Sequence, residues 1–312
     1  MARPLRIEYP GAYYHITARG NERREIFLND QDREKFMSYL ETANQRYGAV
    51  IHVYCLMSNH YHLLLGTPLG NLSQIMRHIN GAYTNYFNAK RHRAGHLLQG
   101  RYKAIVVDVD KYAGELSRYI HLNPVRAGMT NEPEGYRWSS YQYYAGKGKQ
   151  PKWLTVEFIL GYFGRRIAIA RKKYRDFVYA LMGEEYESPL KKAVAGTLLG
   201  GKEFIDEIKE KYLNGKEWDR NLPALTEMKK LSIMEIIKEA GEVFGKGSDI
   251  GKKAALYICH NYSGRSLKEI GNHFKIGESA VSQASRRFQR IVEGDGTIRK
   301  KVKHLCNKLN LV

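Results

Sequence analysis

Two histidines separated by one residue, His60 and His62, and a tyrosine and an asparagine four residues apart, Tyr119 and Asn123, are the side chains in this sequence whose types and spacing could do chemistry together. His60 and His62 fall in Met-Ser-Asn-His-Tyr-His-Leu-Leu-Leu-Gly, residues 57–66, after the β-rich run at residues 50–55. That pattern predicts two β-strands joined at Ser58-Asn59, residues that favour tight turns. Alternate side chains on a strand share a face, so both imidazoles point one way and can hold one divalent metal between them. Residues four apart on a helix also share a face, so the Tyr119 phenol and the Asn123 amide oxygen face one site. Pro124 restricts Asn123 and is expected to end or kink the helix there, which fixes the amide where it could complete the metal site. A lone His-x-His, or a single helical tyrosine, is more often structural than chemical. The reading rests on both elements together.

The elements that must carry these groups follow from periodicity. Residues 13–19 alternate and end at Gly20, a first strand, and Asn21, Arg23 and Arg24 then make a short polar, basic loop. Asn29 or Asp30 can cap a helix bearing Phe36, Tyr39, Leu40 and Ala43, and Asn71 or Ser73 opens a second with Leu72, Ile75, Met76, Ile79, Tyr83 and Phe87 as its apolar stripe. A strand at residues 101–107 precedes the helix of Tyr119. The order strand, helix, strand, strand, helix, strand, helix predicts an α+β fold, a ferredoxin-like antiparallel sheet with both long helices on one face. Its central hairpin carries the histidine pair. The Gly- and Lys-rich stretch at 146–152 and Pro223 mark joints. The expected domains are therefore 1–145, a helical connecting region at 146–222 and an all-α domain at 223–312.

Composition bounds the partners. The chain of 312 residues carries 51 Lys+Arg against 32 Asp+Glu, a net charge of +19, and has no acidic residue between Glu41 and Asp108. A folded region without carboxylates presents a positive surface, and nucleic acid is its default partner. Cys55, Cys259 and Cys306 have no paired spacing, which points to a reducing, cytoplasmic setting rather than a zinc finger or disulfide framework. Neither a signal peptide nor a membrane span is expected.

In the last domain, Ser266-Leu267-Lys268-Glu269 is a capping box opening a short helix, Gly277 lies in a turn, and a second helix follows at 279–290. This is the helix-turn-helix pattern. Val281, Ala284 and Phe288 can pack inward, leaving Ser279, Ser282, Gln283, Arg286 and Arg287 outward as donors for phosphates and base edges.

His60-Tyr61-His62, Gln99-Gly100-Arg101-Tyr102, and the run from Arg118-Tyr119-Ile120-His121-Leu122-Asn123-Pro124 to Gly128 together resemble the single-tyrosine, histidine-pair transposases that process single-stranded DNA. With Tyr14-His15-Ile16-Thr17-Ala18-Arg19-Gly20-Asn21, the resemblance is closest to the REP-associated tyrosine transposases and covers roughly residues 5–145. The segment from about residue 254 to 290 resembles the DNA-binding domain of the bacterial replication initiator. The first resemblance implies that Tyr119 attacks a backbone phosphorus and keeps the 5′ end while a 3′ hydroxyl is freed. It implies a metal on His60, His62 and Asn123, where related enzymes often carry Gln. An amide oxygen and a phosphate in the sphere favour Mg2+ or Mn2+. Arg19, Asn21, Arg23, Arg24, Arg101 and Arg126 would hold a hairpin from a palindromic repeat, the protein acting as a monomer or homodimer. Two other readings are a non-catalytic DNA-binding regulator and a metal-dependent hydrolase with Tyr119 as core.

Overall fold

Alternation at the start of the chain produces strand β1 (Ala12–Arg19), which buries Tyr14, Ile16 and Ala18 on one face and turns His15, Thr17 and Arg19 to the other. β1 is central. It pairs antiparallel with β3 (His60–Thr67) and with β4 (Lys103–Val107), while β2 (Val50–Leu56) pairs antiparallel with β3. A fifth strand, β5 (Leu198–Leu199), pairs parallel with β4, giving the order β2-β3-β1-β4-β5. The computed structural model describes residues 6–184, 186–212, 232–263, 265–309 and 311.

Helices α1 (Asp30–Tyr47) and α2 (Leu72–Lys90) cover the face of Tyr14 and Ile16. From that face the Tyr61 hydroxyl donates to Asn80 Oδ1 of α2 at 2.6 Å, and the Phe36 ring of α1 lies 4.7 Å from that of Tyr61. Asn29 caps α1 by accepting from the Asp32 N–H, and all six residues of the expected α2 stripe are buried. Helix α3 (Val109–Arg126) lies on the opposite face. The α+β sheet with its two long helices on one face is as the sequence implied. The four expected strands pair antiparallel, and a fifth, β5, adds a parallel edge that was not expected. Leu198-Leu199 is too short for periodicity to declare it a strand, and the glycines after it read as a break. Helix α3 also runs past Pro124 to Arg126, so the proline does not end it. The missing N–H removes one bond in the last turn, while the Ala127 N–H still reaches the Asn123 carbonyl.

By contact the chain divides into two units, residues 4–215 and a unit that includes 216–312. The expected joint at Pro223 lies outside the described residues. Residues 146–212 add α5 (Glu157–Gly161), α6 (Ile167–Tyr179), β5 and α7 (Lys202–Tyr212) to the first unit, after the short α4 (Tyr141–Tyr144). The second unit holds α8 (Ile233–Phe244), α9 (Asp249–Tyr262), α10 (Leu267–Phe274), α11 (Glu278–Gly294) and α12 (Gly296–Lys308) around Ile236, Ile258, Ile270, Val281, Phe288 and Leu305. It is all helical among the described residues. Cys55, Cys259 and Cys306 are free and buried. No helix among the described residues is long and apolar enough to cross a membrane.

Asp32 joins α1 to the end of α2 from a fully buried position. It accepts from the Leu28 N–H, Tyr86 Oη, Lys90 Nζ and Arg91 Nη2. Burial pushes its carboxyl up, but the Leu28 N–H, Arg91 and Lys90 outweigh this and hold it below the usual range. A lowered carboxyl stabilises fully above the unfolded value near 4, and the gain is lost as pH falls through the folded value. Asp32→Asn should therefore cost about 3 kcal/mol in urea unfolding at pH 7, with a gap to wild type that narrows below about pH 4.

Candidate active site

Strand β3 brings both histidines against β1. In the β1–β3 register Thr17 faces His62 and Arg19 faces His60, so these four side chains share the face beneath α3. The ring centroids of His60 and His62 lie 5.1 Å apart, and Tyr119 stands edge-on to His62 at 5.9 Å. A pocket of about 270 Å³ is lined by Thr17, Ala18, Arg19, His60, His62, Gln99, Arg101, Lys103, Tyr119 and Asn123. Its lining holds three cations and no carboxylate.

The imidazoles are neutral bases here. Burial, and then the Arg19 charge, lowers His60; burial, with His15 and His60 beside it, holds His62 well below the usual histidine range. His60 Nδ1 lies 2.7 Å from Asn59 Oδ1, and Asn59 Nδ2 donates to the Arg23 carbonyl, which sets that amide's orientation. The oxygen can only accept, so His60 carries its proton on Nδ1 and keeps the Nε2 lone pair. His62 Nδ1 lies 3.0 Å from His15 Nε2. Asn123 Nδ2 donates to the Tyr119 carbonyl at 3.0 Å, and its Oδ1 accepts no hydrogen bond among the described residues. Two imidazole nitrogens and one amide oxygen around one pocket can hold a divalent cation, with phosphate oxygens to complete the sphere. Among the described residues no group of three or more His, Cys, Asp or Glu is arranged as a metal cluster, and the set here is of another kind.

A chain of hydrogen bonds fixes α3. The Tyr174 hydroxyl donates to Ser117 Oγ, so its oxygen accepts from His121 Nδ1–H at 2.7 Å. His121 Nε2 then accepts from Ser140 Oγ at 2.8 Å, and Ser140 Oγ accepts from the Tyr54 N–H of β2. His121 is fully buried, and burial pushes it down to about 3, so it stays neutral as the chain requires. Tyr119 and Asn123, each two residues from His121, are held half-exposed over the histidines.

Of the residues expected at the site, Tyr119, His60, His62, Asn123, Arg19 and Arg101 line one pocket. Asn21, Arg23 and Arg24 are exposed on the loop after β1 and do not line it. That loop packs closely, since a Cβ at Gly20 would lie 2.0 Å from the Arg24 carbonyl oxygen. The Arg126 guanidinium lies over the Tyr186 ring at 3.9 Å and 5.6 Å from that of Tyr119. In the second unit α10 has the full Ser266–Glu269 capping box. On α11, Ser279, Gln283, Arg286 and Arg287 are exposed, Ser282 is half-buried, and Val281 and Phe288 are buried. Sequence reading missed His15, Thr17, Gln99 and Lys103. For His15 and Thr17 a signal was present, because β1 alternation puts them on the Arg19 face.

Residues 8–123 match the family model described as "Transposase IS200 like". No curated protein matches the chain. Among solved structures, a REP-associated tyrosine transposase bound to a REP hairpin is similar at 18% identity and a TM-score of 0.43, over 48% of this chain and 89% of that one. A transposase candidate from Deinococcus radiodurans R1 is similar at 20% identity and a TM-score of 0.28, over 38% and 95%. The segment that carries the match thus ends at Asn123 and holds the whole pocket lining.

His121→Phe would remove two buried hydrogen bonds, the one donated to Tyr174 Oη and the one accepted from Ser140 Oγ. It should lower stability in urea unfolding by about 2 kcal/mol or more.

Proposed function

We propose that the protein is a metal-dependent single-strand DNA endonuclease and strand transferase of the transposase kind, acting on hairpins of palindromic repeats through a 5′-phosphotyrosine intermediate. The observation that carries this reading is the convergence of Tyr119, His60, His62 and Asn123 on one pocket with a wholly cationic charged lining. The family match over residues 8–123 supports nicking and strand transfer as the general activity.

In the proposed reaction Arg19, Arg101 and Lys103 draw the strand's phosphate into the pocket, their charge unopposed by any lining carboxylate. Tyr119 Oη attacks phosphorus, forming the Oη–P bond as the P–O3′ bond breaks. The phenolic proton passes to solvent and the leaving oxygen takes one up as a free 3′ hydroxyl. Phosphotyrosine conserves the ester, so attack by a second 3′ hydroxyl restores a phosphodiester and releases the phenol without ATP. His60 Nε2, His62 Nε2 and Asn123 Oδ1 would hold Mg2+ or Mn2+, which when bound polarises a non-bridging phosphate oxygen. The His121 chain holds α3, and with it the phenol, against the sheet. Arg126 and the loop residues Asn21, Arg23 and Arg24 lie outside the pocket lining, where they would contact flanking strand. In the second unit, Ser279, Ser282, Gln283, Arg286 and Arg287 would add duplex affinity.

The test is a denaturing gel of the full chain with Mn2+ and a labelled single-stranded hairpin from palindromic repeats beside its gene. Wild type should give a protein-sized band carrying label from the 3′ side of the cut. Tyr119→Phe should give none, and His62→Ala should slow cleavage on the order of 10³-fold or more. Cleavage that survives in Tyr119→Phe would instead identify a water nucleophile, and binding without any cleavage a regulator.

A further inference from the structure

The buried pair of His15 and His62 has a consequence for the pocket. His15 Nε2 and His62 Nδ1 lie 3.0 Å apart, with ring planes 20° from parallel, and the two residues are 2% and 6% exposed. Two imidazole nitrogens at that distance share one proton, so one donates and the other accepts. If His15 donates, His62 accepts at Nδ1 and must carry its own proton on Nε2. It then has no lone pair to offer the pocket. If His62 donates from Nδ1, its Nε2 lone pair is free, as that of His60 is through Asn59.

We propose that His15 is a positioning residue that accepts the His62 Nδ1 proton and so holds His62 as a base with Nε2 open toward the pocket. The proposal rests on the metal-site reading above and assigns to β1 what Asn59 does for His60. Both imidazoles are buried, and the 3.0 Å approach of two ring nitrogens needs one of them to arrive without a proton. A neutral His15 has one acceptor nitrogen, and the pairing places it at Nε2. The strands supply the geometry: His15 is opposite Leu64, two residues from the Thr17–His62 pair, so it meets His62 along the diagonal of the same face. A ligand imidazole whose second nitrogen donates to a fixed acceptor is oriented and made more basic.

Replacement by residues of similar reach separates this role from packing. His15→Gln keeps an acceptor oxygen near the Nε2 position, whereas His15→Leu keeps bulk and removes it. Mn2+ titration of the full chain, followed by the electron paramagnetic resonance signal of free Mn2+, should show His15→Leu weakened about 10–100-fold and His15→Gln within about threefold of wild type. A folded His15→Leu with wild-type affinity would overturn the proposal. So would a Gln variant as weak as the Leu variant. The tautomer is read separately in metal-free wild type labelled with 15N-histidine. The proton of His62 should appear on Nδ1; a proton on Nε2 would refute the assignment whether or not either variant folds. Wild type that binds no Mn2+ would defeat the metal reading of the pocket, while the nitrogen spectrum would still decide which imidazole donates.

Discussion

The antiparallel register of β1 on β3 is the constraint on which the site depends. Side chains alternate strictly, so a slip of one residue would send His60 and His62 to the opposite face from Thr17 and Arg19. What prevents it is the other face. Tyr14, Ile16 and Ala18 of β1 and Tyr61, Leu63 and Leu65 of β3 are all buried there, beneath α1 and α2. Each large apolar side chain contributes about 1.5–3 kcal/mol when fully buried, and a slip would take the whole set out of that core and turn Thr17 or the histidines into it. The chemistry on one face is therefore held in place by the hydrophobic effect on the other.

The same division explains how α3 presents a polar group without losing its anchorage. Leu116, Ile120 and Leu122 are buried, as are Ser117 and His121, whose hydrogen bonds run to α6 and, through Ser140, to β2. A hydrophobic contact tolerates sliding, but a chain of directed donors and acceptors does not. Residues 146–212 earn a structural role in this way: Tyr174 of α6 closes one end of the His121 chain, and β5 closes the sheet edge beside β4.

What could be read in advance was whatever local period encodes. The pairs at i, i+2 and i, i+4 identified His60, His62, Tyr119 and Asn123 because a strand or a helix alone places such residues on one face, and the six-residue stripe of α2 followed from the same logic. Alternation within β1 puts His15 and Thr17 on the Arg19 face, but that this face meets His60 and His62 depends on the identity of the partner strand, which no period within β1 specifies. Gln99 and Lys103 required knowing that the chain before β4 runs beside Arg19, a contact made by the Gln99 N–H on the Arg19 carbonyl. The strand at Leu198-Leu199 was hidden for another reason, since two residues define no period at all.

Charge in the pocket is arranged differently from what the residue types alone imply. Three histidines lie together, yet burial keeps His15 and His62 neutral and lowers His60, so none adds to the positive field. That field comes from Arg19, Arg101 and Lys103, exposed residues on the lining. The separation has a physical use. Neutral nitrogens offer lone pairs that a protonated ring would lack, while exposed cations keep the charge that attracts an anion. A stretch without carboxylates, from the end of α1 to the end of β4, makes both possible, because no acid within it competes for the cations at the rim or raises the imidazoles inside.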